Sequence, residues 1–174
     1  ELYFYDYERL ERDTSITKLL DVLKPNIHCP LNYDETTPYF MFSIDIDNKL
    51  ISQKRGLEEI NIYIGNPSTA VSSGICYSLT KEGLALNNLY YFFDRKEHWE
   101  DIVNKTACSA HMSLTQLSIK DLLWPELIDC ETIVVANKKN NDGLYFSRIN
   151  IDQLIGFLKR CNYPLETIRF VEQH

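Results

Sequence analysis

The stretch Pro38–Asp47, PYFMFSIDID, alternates: Phe40, Phe42, Ile44 and Ile46 fall on one side of an extended chain, and Tyr39, Met41, Ser43, Asp45 and Asp47 fall on the other. A strand sends successive side chains to opposite faces, so this spacing predicts a strand over residues 39–47 with one apolar face and one face of tyrosine, hydroxyl and carboxylate groups. Downstream, LEEINIYIG (Leu57–Gly65) repeats the pattern, with Ile60, Ile62 and Ile64 set against Glu59, Asn61 and Tyr63. A polar turn around Lys49–Gly56 makes the two runs an antiparallel pair.

Working outward, the period changes to that of a helix at Ile16, Leu19, Leu20 and Leu23, with Asp13 or Ser15 placed to cap its first amides and Pro25 to stop it. Residues 2–11 fit either a short helix or an extended arm. After the turn residues Gly65-Asn66-Pro67-Ser68 come two more strands, GICYSLT (Gly74–Thr80) and the aromatic LNNLYYFFD (Leu86–Asp94), the latter expected to be buried on both faces. Asp94 is then expected to cap a helix over Arg95–Asn104, and Leu114, Leu117, Ile119, Leu122 and Leu123 to form a helical stripe ahead of Trp124-Pro125. ETIVVAN (Glu131–Asn137) and LYFSRI (Leu144–Ile149) read as a second hairpin about the turn KKNNDG, followed by a helix opening at Asn150 or Ile151 and another opening at Pro164. The fold class is α+β: an antiparallel sheet built from helix-strand-strand-helix units, helices on one face, curling into a barrel or half-barrel.

The 174 residues are read as a single domain, or as a piece of a longer chain. Eighteen basic against 25 acidic residues leave a net charge of −7 with no concentrated cationic face, which argues against nucleic acid as a partner. No apolar run reaches the length of a membrane span. Five dispersed cysteines, Cys29, Cys76, Cys108, Cys130 and Cys161, form no CxxC pair and read as reduced thiols of a cytoplasmic protein.

The mixed face carries the chemistry. Tyr39, Asp45, Asp47, Glu59, Asn61 and Tyr63 would converge on a ligand if that face lined a cup, because binding sites join aromatic walls to a few placed polar groups. A carboxylate desolvated there would be a general base, and Glu59 and Asp45 are the catalytic candidates. Asp45 and Asp47 also offer two oxygen ligands to a hard cation, with no third ligand specified by spacing, so a metal-dependent enzyme is an alternative. The four histidines are isolated, the common phosphate-loop, dinucleotide and hydrolase motifs are absent, and no cofactor is specified. A non-catalytic domain that binds a protein through its polar sheet face is the other alternative.

The segment CETIVVANKKNNDGLYFSRINIDQLIGFLKR (Cys130–Arg160), with a looser echo in residues 14–65, resembles one unit of the ABBA-type aromatic prenyltransferases. The resemblance implies αββα units closing an antiparallel barrel and transfer of a prenyl group from an allylic diphosphate to an aromatic acceptor, so the expected partner is a small aromatic or isoprenoid molecule. That chemistry calls for several strand-borne cations shielded by tyrosines. Arg148 is the one cation expected on a strand, and Lys54, Arg55, Lys138 and Lys139 are expected in turns.

Overall fold

Met41–Ile44 forms the strand at the centre of PYFMFSIDID, shorter at both ends than its alternation predicts. The computed structural model describes residues 1–5, 14–33, 35–66, 72–112 and 118–174. They divide into two compact units, Glu1–Leu89 and Tyr90–His174.

In the first unit, β1 (Leu2–Tyr5), β2 (Met41–Ile44), β3 (Ile60–Asn66) and β4 (Ser72–Thr80) pair antiparallel in chain order. The register sets Phe42 against Ile62 and Ile60 against Leu79, so the isoleucine stripe of one strand continues that of the next. This face is the core: Phe42, Ile44, Ile60, Ile62 and Leu79 join Ile16 and Leu20 of helix α1 (Ile16–Leu23) and Leu50 of the one-turn helix α2 (Asn48–Ile51). Ser15 caps α1 by accepting from the Lys18 amide at 3.1 Å, and the helix ends just before Pro25; Asp13 lies outside the described residues. Residues 6–11 of the predicted arm, the turn at 67–68 and the side chain of Asn66 also lie outside them, while Leu2–Tyr5 is extended.

The ends of β2 depart from the alternation for identifiable reasons. Tyr39 joins the core, fully buried and edge-to-face on Phe42 with centroids 5.8 Å apart, instead of facing the polar side. Its hydroxyl accepts from the Ile16 amide at 3.1 Å and donates to Glu35 at 2.7 Å, which satisfies a helix-start N–H that would otherwise be orphaned. Asp47 leaves the strand to cap α2, and Ile46, predicted to meet the helices, is 42% exposed. The expected turn at Lys49–Gly56 therefore contains a helical turn, after which Gln53 takes a φ of 56°. At Gly56 the backbone passes so close to another segment that a Cβ would stand 2.6 Å from the His28 carbonyl oxygen; the Leu57 amide donates to that oxygen at 2.8 Å.

Strand β5 (Gly83–Asp94) runs across the division between the units; within Leu86–Asp94 only Phe93 is buried, not both faces as expected. In the second unit, Asp94 accepts from the amides of Lys96 and Glu97 in a turn, which postpones helix α3 to Trp99–Ala107. Helix α4 is a single turn, Ile119–Leu122, with Ser118 and Asp121 as its capping box; Leu114 and Leu117 of the predicted stripe lie outside the described residues. The predicted hairpin forms from β6 (Thr132–Lys138) and β7 (Asp142–Ser147), its turn shorter than read because Lys138, Asp142 and Gly143 belong to the strands, and is followed by α5 (Ile151–Arg160) and α6 (Leu165–Gln173). Arg148 lies just beyond β7 at a φ of 56°, exposed and paired with Glu131. The chain is thus α+β with antiparallel strands. In the first unit α2 stands between β2 and β3, so the order there is not helix-strand-strand-helix.

Candidate functional site

The face of the first unit opposite its core is partly enclosed. Ser43 and Cys76 are fully buried there, and Tyr63 nearly so. Register brings Tyr3, Ser43 and Asn61 to one line and Tyr63 and Cys76 to the next. Glu1 Oε1 accepts from the Ser43 hydroxyl at 2.6 Å and meets the Tyr63 hydroxyl at 3.5 Å, and Tyr3 donates to Oε2 at 2.6 Å. On the β4 side, Asn61 Oδ1 accepts from Asn87 Nδ2 at 3.2 Å. Ser78 has a single proton to give, and its 2.6 Å bond to Glu59 is shorter than its 3.5 Å approach to Asn61.

Beside this network lies a polar cleft of about 520 Å³ that brings together Asp45, Glu59 and Asn61 of the predicted site. Its charged lining is unequal: Asp45, Glu58, Glu59 and Glu82 face Arg55 and Lys81. Glu82 is held below the usual carboxylate range by the Thr80 hydroxyl, which donates to it at 2.8 Å. A diphosphate entering there would meet more negative than positive charge, so the cleft suits a neutral or cationic group. Asp47, Tyr39, Tyr63 and Arg148 are placed elsewhere. Asp47 is occupied, its Oδ1 accepting from the Lys49 and Leu50 amides at 3.0 and 2.8 Å and its Oδ2 lying 3.4 Å from Arg55. Two carboxylates side by side on one strand, the premise of the metal reading, do not form. Among the described residues no group of three or more His, Cys, Asp or Glu could hold a metal ion.

In the second unit the hairpin presents a constellation that the sequence reading missed. Pairing of Val134 with Tyr145 and of Ala136 with Gly143 puts these residues on one face, and Lys138, two positions beyond Ala136, projects from the same side. Lys138 Nζ donates to the Tyr145 hydroxyl at 2.6 Å and lies 5.3 Å from its ring centroid. Tyr90 follows, its ring 6.3 Å from that of Tyr145. Gly143 has room for the arrangement: a Cβ there would stand 3.2 Å from Tyr145 Cε2. The available signal was the alternation of TIVVANK, which carries Lys138 into the strand; reading KKNNDG as a turn from its first letter concealed it. No protein-family model, curated protein or solved structure matches this chain.

Proposed function

We propose that the chain is a small-molecule transferase domain of the aromatic-prenyltransferase type, its β6–β7 hairpin belonging to an αββα unit of a barrel or half-barrel. The observation that carries the reading is the Lys138–Tyr145 pair: a cation borne on a strand and shielded by a tyrosine, with a second tyrosine beside it. In such a reaction the allylic C–O bond breaks heterolytically, the electron pair leaving with the diphosphate. The ammonium of Lys138 would stabilise the departing anion, and the faces of Tyr145 and Tyr90 the allylic cation. An aromatic carbon then bonds to the cation and loses a proton to solvent water.

Support also comes from the order α4, β6, β7, α5 in the second unit, where, among the described residues, helix, two strands and helix follow in turn around the segment that carries the resemblance. Titration calorimetry with dimethylallyl diphosphate tests the reading directly. Binding is expected, weakened at least tenfold by Lys138→Ala at an unchanged melting temperature, and mass spectrometry is expected to detect a prenylated product with an aromatic acceptor. No binding by the wild-type chain, or equal binding by the variant, would remove the observation on which the reading stands.

A further inference from the structure

The other face of the β6–β7 hairpin borders a second cleft, of about 480 Å³. Leu122, Trp124, Val135, Leu144, Phe146 and Phe157 make its walls mainly apolar. Two oxygens among the lining residues break that character. Thr106 Oγ1 and Asp142 Oδ2 are buried with no hydrogen-bond partner, and Thr106 as a residue is only 6% exposed. Buried polar atoms are nearly always paired, so two orphans on one cleft mark a place where donors are owed.

Asp142 owes the larger debt because it is an anion. Burial pushes its carboxyl up, but the Ser109 hydroxyl, Asn137, the Lys138 amide and the charge of His111 outweigh burial and hold it below the usual carboxylate range. Of these, Asn137 Nδ2 at 3.2 Å and the Lys138 amide at 3.3 Å donate to Oδ1. The basic side chains on the cleft are engaged elsewhere, Lys105 lying 3.9 Å over the Tyr91 ring and His111 Nε2 bonding to the Lys138 carbonyl at 3.0 Å.

We propose that this cleft binds a small amine carried on an apolar ring or chain, its ammonium donating to Asp142 Oδ2 and Thr106 Oγ1 and its hydrocarbon body lying against Trp124, Phe146 and Phe157. Both oxygens are closed to bulk water, so the ligand reaches them by displacing a wall side chain. Lys105 and Met112, both unbranched and on the wall, supply the necessary freedom. The site is independent of the Lys138–Tyr145 pair, which occupies the opposite face of the hairpin.

Phenethylamine and the uncharged 2-phenylethanol, titrated into the 15N-labelled chain, distinguish the outcomes. The reporter is the Trp124 indole N–H, which donates to the Asp121 carbonyl at 2.7 Å beside the cleft. The amine is expected to shift that resonance and to bind at least tenfold more tightly than the alcohol, a preference lost in Asp142→Asn. No shift, equal affinities, or an undiminished preference in the variant would overturn the proposal. Should Asp142→Asn fail to fold, Thr106→Val carries the test: amine affinity reduced severalfold supports the site, and unchanged affinity rejects it.

Discussion

Asp47 joins three groups at once: the Lys49 amide, the Leu50 amide and the Arg55 guanidinium. The bond from the Leu50 amide is the foremost reason its pKa lies below the ordinary 3.8; desolvation opposes it, and Arg55 and the Lys49 amide act in the same direction as Leu50. A carboxylate whose pKa is depressed by folding stabilises the fold above its unfolded value and loses that contribution as the pH falls through the folded one. Asp47→Ala is therefore expected to lower the melting temperature at neutral pH, with the gap to wild type closing as the pH is taken below 3.8. Asp47→Asn, which keeps a capping oxygen but not the charge, is expected to lose less. Thermal melts across that pH range check both; a gap that persists undiminished in acid would contradict an electrostatic cap.

Helix α5 shows the same local chemistry at the scale of an element. Asn150 accepts from the Gln153 amide at 2.9 Å, Gln153 returns the bond to the Asn150 amide at 2.8 Å, and Gln153 Nε2 ties the cap to the Glu126 carbonyl at 2.7 Å. Asn150→Ala is expected to cost about 1 kcal/mol in urea unfolding, the usual loss for a removed cap. A change within experimental error would show that apolar packing along α5, not the cap, holds the helix. This element was legible in the sequence because its apolar period and its cap agree, as they do in α1 and in the β2–β3 and β6–β7 pairs. Legibility failed where a side chain captured backbone amides against the prevailing period, as Asp47 does at the end of β2 and Asp94 does ahead of α3. It failed again at Tyr39, whose parity along the strand says nothing about the Ile16 amide it meets across the fold. Of the candidate site, Asp45, Glu59 and Asn61 line one cleft, with Asp45 beyond the end of β2, while Lys138 and Tyr145 became neighbours only through the hairpin register.

Across the whole molecule, the five cysteines form no disulfide and differ sharply in access: Cys108 and Cys161 are exposed, Cys29 is half-buried, and Cys76 and Cys130 are buried. Burial also pushes the Cys130 thiol above its ordinary pKa of 9.0, further suppressing the reactive thiolate. A thiol reagent under native conditions is expected to modify Cys108 and Cys161 first and to reach Cys76 and Cys130 only after denaturation, as read by peptide mass mapping. Modification of Cys76 at the rate of Cys108 would show that the polar face of the first unit is open. Among the described residues no helix is long and apolar enough to cross a membrane. The near-contact at Gly56 reaches beyond its own turn, since His28 and Leu57, the residues it allows to hydrogen-bond, both line the acidic cleft. A single missing methyl thus sets the gauge of that cleft. An uncharged side chain at position 56 would act as a spacer driven between its walls, retuning which molecules fit while leaving every charge in the cleft unaltered.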